Sequence, residues 1–543
     1  MSLLYRCNQT DNLQPYRDRE TARVKTAGSG NKPIFQIKYL FYLATMLFVL
    51  EGLLILSVSI PWMLEKINAD DFYYYLVLAR NNAAGLGPTF DGTELTNGFH
   101  PLFLLLLTPV ARLLDGNSEL LIRAGLLILL LFHNGTGFII GLGFYRLGRP
   151  DIGWLMALGW LFNPWTLAIT LHGVEVPIAA FFWAISIFGL LEVRRGQTAM
   201  SMRRAIGLGL VVGLAVLART DGLLLLGAIL ATELLRAWYM SSHRRQIIFT
   251  TFVIAVTALI LTLPWWWWNL ANFAMVMQVS GKAIFLYTHG FDWLKPNFII
   301  AKTAFAAYLY SSRLIVYLAL PLIILGFTLW KRRFASIKPT APVFKPLLQQ
   351  LDFALLAVLA LAGWYIFWHW LIQNWYLLTT ILTVTIILGF VLEKRLATQT
   401  PADIGQTAGI VIMVSTLFLI GTYLNNGFGY PLQKRGYYLA QWLNQHTEPE
   451  AIIGAWNSGI IGYFSERPVV NLDGVVNNSL YHYRVAHQAS SVSGIMGYIQ
   501  QRGINYVTDY EPLILLEPQK MGLNERYQSP EYGFTVYQRV ITP

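Results

Sequence analysis

The chain has 543 residues, 55% hydrophobic and 13% charged, with a net charge of +11 and a single cysteine; its mean hydropathy is +0.48. That composition excludes an ordinary water-soluble globule and predicts an α-helical polytopic membrane protein. Cys7 alone excludes an intramolecular disulfide framework and a cysteine-rich metal site. No basic run is interleaved with aromatics as single-strand binding needs, so no nucleic-acid partner is expected, and the positive excess is assigned to cytoplasmic loops.

Residues 1–38 are polar and carry Arg6, Arg17, Arg19, Arg23, Lys25, Lys32 and Lys38. They lack the compact basic start and small-residue cleavage site of a secretory signal, and read as a cytoplasmic tail before an uncleaved span at 39–63. Directly behind that span stand Asp70 and Asp71, opening the stretch D-D-F-Y-Y-Y-L-V-L-A-R-N. Acids where a helix leaves the hydrocarbon are uncommon, and those lining a cavity are usually functional. The pattern predicts a short amphipathic helix over 70–82 and a Gly/Pro turn. A polar strip with Asp91, Glu94, Asn97 and His100 follows, then an apolar segment at 101–114.

Further apolar runs cover 120–145, 152–171, 177–191, 206–218, 223–238, 247–265, 309–330, 351–371, 376–392 and 404–424, separated by basic clusters. If 101–114 does not cross, every basic cluster lands inside, and a segment of about 14 residues is too short to span. The expectation is therefore about 11 transmembrane helices, with juxtamembrane helices in an outer loop at 66–119. The outer side also receives the connections L-H-G-V-E-V (171–176) and A-R-T-D-G (218–222), a loop at 266–308 and the tail from 425. Residues 39–265 and 309–424 form the membrane part. The tail, 425–543, alternates short helices and strands and predicts a small external α/β domain.

The motifs D-D-x-Y-Y-Y-L-x-L-A-R-N, N-G-F-H-P-L, G-V-E-x-P and A-R-T-D-G together resemble bacterial membrane glycosyltransferases of the GT-C fold class, in the group of protein mannosyltransferases and aminoarabinose transferases. The resemblance covers the first half of the chain in its motifs and the later spans in general plan. It implies a polyprenyl-phosphate sugar as donor and a glycan, lipid or protein as acceptor. It also implies an outer-loop aspartate acting as catalytic base or holding a divalent metal, Mg2+ or Mn2+. Asp70 and Asp71 match the family's acidic pair, with Asp70 expected as the base, and Glu175 matches the acid of its G-x-E loop. Tyr74, His100, Glu175, Arg219, Asp221 and Lys282 are expected at the substrate, and Asp71 with His100 at the metal. Many relatives carry an Arg-Tyr pair in a late outer loop; here the stretch is Q-N-W-Y (373–376), so another cation must meet the donor phosphate.

Plainer roles compete with these. The acidic pair would serve as a helix cap, His100 as the cap of the segment behind it, and Arg219 with Asp221 as an ion pair holding a turn. Pro264 and the tryptophans 265–268 read as an outer aromatic belt, and Asp473-Gly474 as a turn after a strand. A different class, a transporter or flippase of a lipid-linked or small polar substrate, would show repeat symmetry and midplane charges, and the sequence has neither.

Overall fold

The computed structural model describes residues 36–195, 200–289, 344–368, 373–396, 432–489, 491–510 and 518–540, with isolated residues between 406 and 421. The first apolar run divides. Helix α1 (Ile37–Ser57) is the span, and α2 (Ile60–Lys66) is separate, with Pro61 in its first turn. Proline lacks an N–H and is accommodated at a helix start, so the run breaks there. Asp70 therefore does not end the span, and opens α3 (Asp70–Ala83) instead. The expected amphipathic helix is buried on nearly all sides, because the C-terminal domain covers the face that the sequence leaves polar.

Helix α4 (Pro101–Leu113) has 13 residues and is too short to cross a bilayer. The long helix α5 (Ser118–Arg146) follows. The run 152–171, read as one span, is two helices, α6 (Pro150–Leu161) and α7 (Pro164–Leu171), bent by 50° where Asn163 caps and Pro164 starts the second. Then come α8 (Val176–Arg195), α9 (Met202–Ala218), α10 (Gly222–Tyr239), α11 (Arg244–Phe273), α12 (Val279–His289), α13 (Phe344–Trp368) and α14 (Leu378–Leu396).

Helix α11 runs on through Pro264 to Phe273, so the outer loop begins at Ala274 and contains α12. Of its tryptophans, Trp265 and Trp268 stack on each other and pack against Phe99 instead of forming only a lipid-facing belt. Among the described residues, six helices are long and apolar enough to cross a membrane, or seven with the bent pair. The expected span 309–330 lies outside the described residues, and of 404–424 only isolated residues are described. The protein is an integral membrane protein whose helical core centres on Phe144, Trp160, Trp183 and Phe188.

The C-terminal domain contains α15 (Gln433–His446), β1 (Ile453–Ala455), α16 (Gly459–Phe464), β2 (Val469–Asn471), α17 (Asn478–His487) and α18 (Met496–Gln501). It closes with β3 (Tyr506–Asp509), β4 (Leu523–Gln528) and β5 (Thr535–Arg539). The sheet order is β2-β1-β3-β5-β4, parallel among β2, β1 and β3 and antiparallel through β5 and β4. Helices α16 and α17 were not expected from the sequence; α16 has six residues, and its apolar stretch is too brief for a period to emerge.

The domain sits directly on the first outer loop. Arg502 donates to Asp91 and Glu94, Ser479 to Glu94, and Asn478 Nδ2 to Asn97 Oδ1 at 2.9 Å. Most of the polar strip before α4 is thus a docking strip. Contact is close enough that a Cβ on Gly98 would lie 1.9 Å from the Val475 carbonyl oxygen.

Candidate active site

The outer ends of the helices and the sheet domain enclose a chamber of about 660 Å³. Asp71, Tyr74, His100, Glu175, Arg219 and Asp221 all line it. The structure thus brings together six residues drawn from four separate segments. Two expected site residues fall elsewhere. Asp70 lies behind the wall: its Oδ2 accepts the Gly459 N–H at 3.0 Å and its Oδ1 the Ile460 N–H at 2.8 Å. It caps α16 across the domain boundary. Lys282, on α12, holds its ammonium 5.9 Å from the Tyr481 ring and is not among the described lining residues.

Asp70 and Asp71 diverge because neighbouring helical residues point about 100° apart. Burial pushes the Asp70 carboxyl up to about 7, against the pull of its two N–H partners. Asp71 is exposed, but towards the chamber, and the protein around that chamber pushes its carboxyl up to about 7 by desolvation, with Asp473 and Glu175 adding repulsion.

Arg219 is the hub of the opposite wall. It donates to Glu175, to Asp221 Oδ2 at 3.0 Å and to the Tyr365 hydroxyl at 3.2 Å, and its guanidinium lies 5.1 Å from the Tyr376 ring. The Arg–Tyr contact that the stretch 373–376 lacks in sequence is therefore assembled in space by an arginine more than 150 residues earlier. Tyr75 donates to Glu175 at 2.9 Å and Tyr365 to Asp221 at 2.7 Å. Burial alone would raise Asp221, but Arg219 and the Tyr365 hydroxyl outweigh it and hold the carboxyl below its usual range.

His100 has a polar neighbour at each ring nitrogen. Thr220 donates to Gln278 Oε1 at 2.8 Å, which turns the amide nitrogen of Gln278 to His100 Nδ1 at 3.0 Å. His100 Nε2 lies 3.6 Å from Glu175 Oε1. Burial pushes this imidazole below its ordinary value, with Glu175 pulling the other way. A metal shared with Asp71 would have to displace Gln278 or Glu175 from one of these nitrogens. Among the described residues no group of three or more His, Cys, Asp or Glu is arranged to hold an ion.

Sequence reasoning missed Asp473. It follows β2, lines the chamber opposite Tyr74 (3.5 Å from Oδ2 to the hydroxyl) and accepts the Val475 N–H at 2.7 Å through Oδ1. Burial pushes its carboxyl up to about 7. Trp456 and Asn457, which follow β1, line the chamber beside it. The signal was available: residues just past the carboxyl ends of parallel strands are where open α/β sheets place ligands.

The helical module with outer juxtamembrane helices and a small sheet domain defines a GT-C-like fold. Among solved structures, ArnT from Cupriavidus metallidurans resembles the chain both bound to undecaprenyl phosphate (TM-score 0.55, 14% identity, 92% of this chain and 98% of that one) and in the apo state (TM-score 0.58, 12% identity, 91% and 97%). The Archaeoglobus fulgidus oligosaccharyltransferase tethered to an acceptor peptide aligns at TM-score 0.53 and 12% identity, over 92% of this chain and 74% of that one. At these identities the likeness is one of fold. A family described as a domain of unknown function (DUF8728) matches residues 430–538, which is the sheet domain. Among curated proteins nothing matches.

Proposed function

We propose that the protein is a membrane glycosyltransferase that moves a sugar from a polyprenyl-phosphate donor to an acceptor hydroxyl at the outer face of the membrane, with Asp71 as general base. The observation that carries this reading is the position of Asp71. It is a carboxyl raised to about 7, open to a 660 Å³ chamber that also holds the Arg219 guanidinium, in a GT-C-like fold. The undecaprenyl phosphate bound by ArnT and the acceptor peptide held by the archaeal enzyme support the two substrate classes.

In this reading the Asp71 carboxylate takes the acceptor proton as the acceptor oxygen bonds to the anomeric carbon. In the same step the bond from the anomeric carbon to the phosphate oxygen breaks, and its electron pair leaves on the phosphate. A base with a pKa near ambient pH is both ionised and strong enough to act. Arg219 uses three of its five N–H groups on Asp221, Glu175 and Tyr365, which fixes the fork in the chamber wall, where in this reading it meets the leaving phosphate. Asp473, Trp456 and Asn457 bring the sheet domain to the chamber wall, and in this reading that wall meets the acceptor. No step in this reading is routed through a metal.

The test is sugar transfer by the purified protein against a panel of polyprenyl-phosphate sugars, with release of the lipid phosphate as readout and a chelator arm. Turnover that survives Asp71→Asn would remove the base assignment. Absence of release with every donor while lipid translocation proceeds would favour the flippase.

A further inference from the structure

On the other side of α3 lies a second cavity, of about 510 Å³, which shares no lining residue with the chamber. At about 100° per residue, Arg80 projects from the face of α3 opposite Asp71. Arg80 and Arg112 line this cavity together with Asp115, Asn117, Ser118 and Tyr463. Arg80 donates to the Tyr463 and Gly462 carbonyls at 3.1 and 3.3 Å and stands 5.3 Å from the Tyr463 ring. Neither arginine bonds a carboxylate among the described residues. Arg123, Arg194, Arg219 and Arg502 each do.

A half-buried guanidinium satisfied only by carbonyls, with a second one facing the same space, leaves the cavity with a net positive charge. Asp115 offsets one of the two. The cavity also receives the start of α5, 29 residues long, whose dipole adds to the positive field. On α4, too short to cross, Leu113 follows the lining residue Arg112 and is 84% exposed, and Leu105, seven residues before Arg112 and so on nearly the same helical face, is 63% exposed. Leucines so exposed on a short helix at the end of the membrane spans suit acyl chains.

We propose that this cavity binds the phosphate ester of an anionic membrane lipid, with Arg112 and Arg80 as its cations and the α4 leucines along its chains. The proposal stands apart from the glycosyl-transfer reading, because its test measures binding alone.

The purified full-length protein in neutral detergent is titrated calorimetrically with short-chain phosphatidylglycerol, short-chain phosphatidylcholine and inorganic phosphate. Phosphatidylglycerol should saturate one site and bind more tightly than phosphatidylcholine. Arg112→Ala should weaken it about tenfold, the scale of one charge-assisted hydrogen bond, and Arg112→Lys less. Arg112 is exposed and makes no ion pair among the described residues, so its replacement leaves the fold intact, which the thermal midpoint checks. Unchanged phosphatidylglycerol binding by Arg112→Ala overturns the proposal, as does equal binding of phosphatidylcholine. Inorganic phosphate binding as tightly as phosphatidylglycerol would assign the site to a free anion and overturn the lipid.

Discussion

The Asp70 carboxylate accepts the backbone N–H of Gly459 at 3.0 Å, joining residues 389 apart in the chain and capping a helix of another domain. The approach is so close that a Cβ on Gly459 would lie 2.3 Å from the Asp70 carbonyl oxygen. Asp70→Ala should therefore act on domain docking. Losing a helix cap costs about 1–2 kcal/mol, so the thermal midpoint should drop by a few degrees and the sheet domain should become more open to proteolysis. Asp71→Asn should leave the protease sensitivity of the sheet domain at the parent value, since the bonds to Gly459 and Ile460 are made by Asp70.

Asp71→Asn should instead lower turnover by on the order of 100-fold or more with little change in donor binding, because only the proton acceptor is removed. Steady-state kinetics with kcat and KM separated would decide it. A rise in KM alone would mean that Asp71 only binds.

Two pH dependences follow from the raised carboxyls. Transfer should rise with pH through about 7 as Asp71 ionises and becomes able to accept a proton. Stability runs the other way. Asp70, Asp71 and Asp473 hold protons in the folded state up to about 7, but ionise from 3.8 upward when exposed. Between those values the native state binds more protons than the unfolded one, so stability falls as pH rises and levels off above 7. Thermal midpoints across pH 4 to 8 test this, and Asp473→Asn should flatten the curve.

Arg219→Ala would strand Glu175 and Asp221 in the chamber wall. Removing one partner of a buried ion cluster costs about 3–5 kcal/mol. Arg219→Lys keeps the charge but loses the fork, so it should fold better yet still bind donor weakly. Denaturant melts beside donor-binding isotherms separate the two effects, and donor affinity unchanged in Arg219→Lys would move the phosphate contact elsewhere.

Gly98→Ala would drive a methyl group into the Val475 carbonyl, 1.9 Å away, at the chamber roof. Overpacking of this kind costs about 1–3 kcal/mol. The expected outcome is a loosened roof with reduced transfer and increased protease access to the sheet domain, measured on the same preparation.

The sequence alone determined the membrane class, the helix-rich architecture, the small α/β tail and the gathering of Glu175, Arg219 and Asp221 on one side. Each of these rests on local hydropathy, charge parity or short-range periodicity, which a linear string carries. It also singled out the Asp70-Asp71 pair, and helical geometry already required the two to have different roles. Which acid faces the chamber was decided only in three dimensions. Asp70 is taken up by Gly459 and Ile460, donors from a domain the sequence places far away. The same holds for Asp473, which looked like an ordinary turn until the sheet domain folded over the outer loop. Arg219 over Tyr376 likewise replaces a motif that the chain lacks in sequence. Contacts between distant segments are set by how whole surfaces pack, and no periodicity or spacing within a single segment records them.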